Sequence, residues 1–403
     1  MDARSVDVAV AGRGAIGAAV ALGLAQQGLR VAWVGPAPAR AASSGPPAGW
    51  DARVFALSPG TRELLRGLRV WDALPAERIA PIYDMRVHAG EGADAPELHL
   101  DAYTGHVEAL AWVVENRALM RTLEDALRFS AVVTVDDAVT ALRADPPGPA
   151  GRVRLGLASG GALEARVVVA ADGAESPLRT LAGLQADVHE YGQRAVVANF
   201  DTELPHGDTA YQWFGPELGV LALLPLPAEG PSCGRASLVW SAPDRLADEL
   251  LALDDEALAA RVARAAHGVL GPMRTVTAAQ SFPLRLVRVP RLIAPRVVLA
   301  GDAAHALHPL AGQGMNLGFG DVARLLEVVR TREAVRDLAD VLLWRRYERA
   351  RSGAVSLMQD ATDGLQRAFG DLPAPLVGLR DLGWRAVARS DWLRRRMIAQ
   401  AAR

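Results

Sequence analysis

The sequence contains no lysine: all 44 of its Lys-plus-Arg positions, in 403 residues, are arginine. That removes Schiff-base lysines, phosphate-loop lysines and the kinase lysine from the available chemistry. Cysteine is nearly absent too. The one thiol, Cys233, excludes an internal disulfide, a CxxC redox pair, a Cys-rich zinc site and a Cys-ligated iron–sulfur cluster. There is no basic excess either, and a net charge of −2 gives no electrostatic footprint for nucleic acid. Met1–Asp7 carries acids and lacks an apolar stretch, so no signal peptide is expected. The uncharged run Gly14–Leu29 contains Gly and Gln and falls short of the roughly 20 apolar residues of a spanning helix. We expect a soluble, cytoplasmic chain. What is present is ordinary globular material, 50% hydrophobic and 22% charged. At roughly 100–200 residues per domain, the length suits two or three domains.

Apolar Val6–Val10, a glycine turn, helical Ala18–Gln27 and apolar Leu29–Val34 make a βαβ opening. Pro36–Gly49 reads as loop. Ser58–Leu68 reads as a helix with Ser58 as N-cap and Pro59 at its first position. Met85–Ala102 reads as extended, and Asn116–Leu127 has helical spacing. Ala131–Leu142 and Val153–Leu157 suggest a strand pair around the turn Asp145–Gly151, and Ala165–Ala170 a buried strand. Gln193–Asp201, Thr209–Phe214, Gly219–Leu226 and Ala236–Ser241 are rich in β-branched and aromatic residues, as in an antiparallel sheet. Asp254–His267 reads as helix and Val297–Ala300 as a short strand. From Met315 onward nearly everything reads as helix.

Gly12, Gly14 and Gly17 form GxGxxG between a strand and a helix, with Ala15 and Ile16 inside the motif. The first glycine permits the tight turn and the second lets a pyrophosphate approach the helix N-terminus. The third allows close helix–strand packing. The usual acid ending the second strand, which would bind ribose hydroxyls, is replaced by Gly35, and the nearest downstream acid is Asp51. No second GxGxxG occurs, so one dinucleotide is expected. Gly301-Asp302 follows the late strand, and the glycine-rich run to Asn316 opens a helix. A carboxylate there suits sugar-alcohol hydroxyls. Free N–H groups around Gly312 and Gly314 favour an anion. An N-cap aspartate in a plain strand–turn–helix is the competing reading.

These residues, with His308-Pro309-Leu-Ala-Gly-Gln-Gly-Met-Asn316, resemble the GD motif of single-component flavin-dependent aromatic-ring hydroxylases of the para-hydroxybenzoate hydroxylase fold. The wording is most similar to the ubiquinone-biosynthesis branch. Asp172-Gly173, with Ser176 and Arg179, resembles the family's DG motif. Asp51-Ala-Arg53 resembles its FAD-contacting arginine segment, and Val114-Glu-Asn-Arg117 a cofactor-side helix start. Similar wording recurs in Ala210–Phe214, Leu223–Leu226, Val239–Ser241, Phe282–Arg285 and Thr362–Leu365, so it covers almost the whole chain. The departures are Gly35 and Trp213, which stands where related members often carry Arg.

The resemblance implies an α/β fold: a Rossmann-like FAD-binding domain (1–82, 107–186 and 284–345), an inserted, mostly antiparallel sheet domain for substrate (83–106 and 187–283) and a C-terminal helical segment (346–403). It implies FAD as cofactor, NAD(P)H as transient reductant, O₂ as co-substrate and hydroxylation of a phenolic ring, in a polyprenylated ubiquinone precursor. The protein supplies binding, orientation and polarisation. Cofactor contacts are expected from Gly12, Gly14, Ala15, Ile16, Gly17, Arg53, Arg117, Asp172, Gly173, Gly301, Asp302, Gly312, Gly314, Met315 and Asn316. His308, Pro309, Gly312, Gln313 and Gly314 are the flavin-side catalytic set. Arg179 joins Arg53 and Arg117 as a cofactor-side arginine. No base for the phenol is identified; His305 and His308 lie in the right segment, and buried histidines donating to backbone are the blander alternative. Tyr211, Trp213 and Leu223 are expected at the substrate pocket, with plain core packing equally compatible for the two aromatics. No metal site is expected. Val377–Arg403 combines seven arginines with Trp384 and Trp392. It reads either as a helix packed on the fold with a solvated Arg face or as one lying on an anionic membrane, or in a biosynthetic complex. Two functional alternatives remain: a hydroxylase for a small soluble aromatic or secondary metabolite, and a flavin-binding scaffold with little turnover.

Overall fold

The computed structural model describes residues 4–37, 49–90, 96–146, 151–228, 233–308, 313–369 and 374–402. Among these, five parallel strands lie side by side in the order Val297–Leu299, Ala162–Ala170, Arg4–Ala11, Val31–Gly35, Val133–Asp136. Val8, Val10, Val167, Val168, Val169 and Val298 are all buried, as strands covered on both faces require. The covering helices include Ala15–Gln26, whose one side packs so closely that a Cβ on Gly23 would meet Leu326 of helix Gln313–Arg330 at 2.4 Å. The carboxyl ends of the parallel strands bring together Gly12, Gly35, Asp136, Asp172 and Asp302. This is the edge where open α/β sheets bind their ligands.

The second sheet is mostly antiparallel, in the order His305–Ala306, Gln280–Arg288, Asp187–Thr202, Gly234–Pro243, Gly219–Leu226, Thr209–Gly215, Asp84–Ala89, Glu97–Asp101. Its outer face packs on helices Asp244–Ala252 and Asp255–Ala265 through Leu238, Trp240, Leu250 and Val262. A small third sheet consists of Val54–Leu57, Ala111–Glu115 and Ile79–Ile82, with Ala111–Glu115 in the middle. Ser58 does cap helix Pro59–Gly67, accepting from the Thr61 N–H at 3.2 Å.

Two local expectations are corrected, and one strand is added. Ala131–Leu142 is not one strand: it breaks after Asp136, because Asp137 turns the chain and its carboxylate accepts from Ala138 and Ser159 N–H groups. The first half joins the parallel sheet and only the second half pairs with Val153–Leu157. Within Met85–Ala102 the described residues form two antiparallel strands, Asp84–Ala89 and Glu97–Asp101, the second running into the helical turn Ala102–Gly105. Gln280–Arg288 is a further strand, with Pro283 in its interior, a position uncommon in ladder strands. The facing strand absorbs it with a register shift between Glu190 and Arg194. Two continuous elements, Gln280–Arg288 and helix Val341–Phe369, run through the expected domain limits at 283/284 and 345/346.

Candidate active site

The glycine motif is built as its spacing demands. A Cβ on Gly12 would lie 2.0 Å from the Ala171 carbonyl oxygen, and one on Gly17 would lie 2.1 Å from the Gly12 oxygen. Gly14 is the opposite case, with no atom within 4 Å of its missing Cβ. Its open side faces a cavity of about 660 Å³ lined by Gly12, Gly14, Ala15, Ile16, Asp172, Gly173, Gly301 and Asp302. Helix Ala15–Gln26 starts at this cavity with no side chain capping its first turn, so its N–H dipoles are available to an anion.

A second cavity, of about 620 Å³, meets the first at Arg53, Phe55, Asp172, Asp302, Gly314 and Met315. Its other walls are largely apolar, formed by the inner face of the antiparallel sheet through Val197, Ala210, Ala222, Leu224 and Val239. The two spaces, the open side of Gly14 and the carboxylate at the junction fit a long dinucleotide whose far end reaches the second cavity.

Asp302 is exposed to both cavities, and partial desolvation of its carboxyl at their junction raises its pKa against the opposing pull of His305 and Arg53. Burial also raises Asp172, which accepts from the Ser176 hydroxyl and from the Leu178 N–H at 3.0 Å. Arg53 lies at the junction with its guanidinium 4.7 Å above the Phe282 ring. Gly301 and Asp302 are held from below by a network unread in the sequence. Asp321, fully buried, accepts from the Gly301 N–H at 2.8 Å, His305 Nε2 at 2.6 Å and Arg351 Nε at 2.6 Å. Burial alone would raise Asp321, but His305 and Arg351 outweigh it and hold the carboxyl below its usual range. The available signal was a lone acid within the glycine-rich, apolar start of a helix.

His305 and His308 therefore bind side chains, not backbone. His305 lines the second cavity and pairs with Asp321, while His308 donates from Nε2 to Gln193 Oε1 at 2.9 Å. Gln193 and Tyr191 come from the shifted register opposite Pro283, and the Tyr191 ring meets His308 edge-on at 5.2 Å. Burial pushes the His308 pKa down to about 4, so the ring is neutral at pH 7. Gly314 and Met315 line both cavities. Pro309, Gly312 and the side chain of Gln313 lie outside the described residues.

Several expected contacts fall elsewhere. Arg117 is not among the residues lining either cavity, although its neighbours Asn116 and Met120 line the first. The Arg117 N–H, with that of Arg53, is held by Asp51, so this acid anchors two backbone segments and not a ribose. Asn316 clamps its helix to the third sheet, accepting from Ser58 N–H and Thr61 Oγ1 and donating to the Ala56 oxygen at 2.8 Å. Arg179 donates to the carbonyls of Ala303 and Ala174, stapling the DG turn to the GD turn. Of the expected pocket residues, Tyr211 lines the second cavity. Trp213 and Leu223 face the other side of the sheet, in the core beneath the two helices. Strand alternation is the reason: the cavity face is that of Ala210 and Gln212, with Ala222 and Leu224 opposite, and Tyr211 borders the cavity although it pairs with Leu223 and stacks on Trp213 at 5.9 Å.

Residues 5–362 match the family described as FAD binding domain. The chain is 34% identical to the 3-demethoxyubiquinol 3-hydroxylase of Escherichia coli over 410 residues, covering 100% of this chain and 99% of the relative. This chain belongs to the ubiquinone-biosynthesis group of FAD-dependent aromatic hydroxylases. The ubiquinone hydroxylase UbiL of Rhodospirillum rubrum is 35% identical over 398 residues, covering 98% of this chain and 89% of that one. Among solved structures, PqsL, a probable FAD-dependent monooxygenase of Pseudomonas aeruginosa, shares the fold. It has a TM-score of 0.76 and 21% identity, and covers 95% of this chain and 100% of its own. The cofactor of the family is FAD, as the two joined cavities accommodate.

Proposed function

We propose that this protein is an FAD- and NAD(P)H-dependent monooxygenase that hydroxylates the phenolic ring of a polyprenylated ubiquinone precursor. The observation that carries the proposal is the apolar cavity meeting the nucleotide cavity at Asp302, in a chain similar along its whole length to named ubiquinone hydroxylases. When bound, FAD would supply the redox chemistry, with NAD(P)H as two-electron donor and O₂ as oxidant, one oxygen atom going to the ring and the other leaving as water.

The protein's part is placement. Gly12 and Gly14 hold the pyrophosphate at the helix start, with Ala15 and Ile16 beside it, and Gly17 lets the helix pack against the turn. Asp302 accepts from the ribitol hydroxyls, and Asp321, through Gly301, fixes its height. N–H groups at the start of helix Gln313–Arg330, near Gly314 and Met315, favour negative charge at the cavity junction. Arg53 closes the junction on its polar side. Ala210, Ala222, Leu224 and Val239 exclude water from the ring and give a prenyl chain an apolar wall, while Gln212 and Ser241 offer polar atoms for ring oxygens. In this reading the parallel-sheet segments bind the cofactor and the antiparallel sheet selects the substrate.

Peripheral membrane contact belongs to the same proposal. No helix among the described residues is long and apolar enough to cross a membrane. Helix Asp391–Ala401 is anchored by buried Ile398 and exposes Trp392, Arg395, Arg396 and Met397. Flotation with anionic liposomes should recover the full chain and lose protein truncated at Val377; equal recovery removes the membrane contact. The function itself is tested by expressing the chain in hydroxylase-deficient cells and following the accumulated quinone precursor by mass spectrometry. Conversion of that precursor is expected. No conversion, together with NAD(P)H oxidation driven by a small soluble phenol, would favour the soluble-substrate reading.

A further inference from the structure

Gly35 stands where a dinucleotide fold usually carries the acid that reads the adenosine ribose. The structure shows what occupies that space. A Cβ on Gly35 would lie 2.7 Å from Cγ of Arg13, the variable residue between the first two motif glycines. The Arg13 guanidinium lies 3.9 Å above the Trp33 ring, and Trp33 is itself tied to the motif by its Nε1–H donating to the Gly12 oxygen at 2.8 Å. On its far side Arg13 is paired with Asp136. Asp136 ends the next parallel strand, directly in register with Gly35. The acid has in effect moved one strand over, with the arginine between it and the nucleotide cavity.

Two further facts indicate a ligand. Arg13 and Gly35 both line the nucleotide cavity, beside Val34, Pro36, Ala138 and Val139. The Arg13 Nε–H is buried without a hydrogen-bond partner. A buried donor left unmet is unfavourable, so its persistence beside a binding cavity needs an explanation.

We propose that Arg13 is the reader of the adenosine ribose in this protein, and that Gly35 is the residue that makes room for it. The polarity of recognition is inverted. An acid accepts hydrogen bonds from ribose O–H groups, whereas Arg13 donates from its guanidinium to the ribose oxygens. Trp33 and Asp136 are positioning residues that fix its plane. Gly35 is then one half of an exchange and not a lost anchor.

The inference rests on FAD being the cofactor, and its test separates the two. Deflavinated protein is titrated with FAD, with FMN, which lacks the adenosine half, and with ADP, which carries it. Arg13→Met keeps an apolar stem over Trp33 and should weaken FAD and ADP about tenfold while leaving FMN within about twofold. Gly35→Glu should also weaken FAD, because the new side chain meets Arg13. The double variant should bind FAD more tightly than Arg13→Met alone, as the acid takes over the vacated place. Thermal midpoints of the apo-proteins check folding, and Arg13→Gln serves should the Met variant be unstable. An unchanged FAD affinity in Arg13→Met, an equal loss for FAD and FMN, or tighter FAD binding in Gly35→Glu alone would each overturn the inference. Failure of the unaltered protein to take up FAD would overturn the cofactor assignment, and the inference with it.

Discussion

The two cavities that meet at Asp302 are nearly equal in volume, about 660 and 620 Å³, but they are made differently. The nucleotide cavity is shaped by backbone: glycines that must be glycines, strand ends and a helix start. The second is shaped by side chains projecting from one face of a sheet. A backbone-built site tolerates little change and binds one kind of ligand. A side-chain-built site is retuned by single substitutions without moving the fold. That contrast predicts where mutations act on cofactor, where on substrate, and where on both.

The largest effect is expected where the contrast should fail. Asp321 lies beneath the junction, and Asp321→Ala leaves His305 and Arg351 buried without their partner. We expect a loss of about 3–5 kcal/mol of stability, read by chemical denaturation, together with loss of flavin. A variant of full stability would show that the network carries little. Next is acid sensitivity on the substrate side. The His308 pKa falls from 6.5 in the unfolded chain to about 4 in the fold. Between these values the unfolded chain holds a proton that the folded protein refuses, so this residue's contribution to stability drops as pH falls from about 6.5 toward 4. The contribution at stake is about 3 kcal/mol. His308→Gln should flatten that part of the stability-versus-pH curve; an unchanged slope would assign it to other groups.

Asp302→Ala should lower FAD affinity roughly ten- to a hundredfold, so that the protein purifies largely colourless. Full yellow occupancy would reject its role. The smallest effect is the most selective. Leu224→Trp fills the second cavity and should cut kcat/KM for a prenylated phenol about tenfold, with flavin content unchanged. Trp213→Phe, on the opposite face, should leave kcat/KM within about twofold. A loss of flavin in Leu224→Trp would blur the contrast between the cavities.

The same contrast decides what can be read from the sequence. Gly12 and Gly17 were legible because a Cβ at either would meet a backbone oxygen, at 2.0 and 2.1 Å, whereas Gly14, Asp172 and Asp302 were legible through the wording of their motifs. Four of the five parallel strands were legible as short apolar stretches, while Val133–Asp136 was not separated from the strand that follows it. On the substrate side Tyr211 borders the cavity but Trp213 and Leu223 lie on the other face; small Ala210 and Ala222 make the space, and a cavity wall of alanine looks like any core. The Gly301–His305–Asp321–Arg351 network joins segments far apart in the chain, so nothing local announces it. Arg13 sat in a variable motif position, and only the fold places it over Trp33 and beside Gly35.

The strand His305–Ala306 immediately follows the turn bearing Asp302, yet it is hydrogen-bonded to Val287 and Arg288 at the edge of the antiparallel sheet. Gln359 bridges the pair from above, donating to the Val287 and Ala306 carbonyls. The chain is therefore spliced at this point, not hinged. A chimera that exchanged the antiparallel sheet for that of a relative would have to take residues 305–308 and the facing turn of helix Val341–Phe369 with it. For recombination the transferable module is larger than the sheet, and its border runs through the middle of the GD motif.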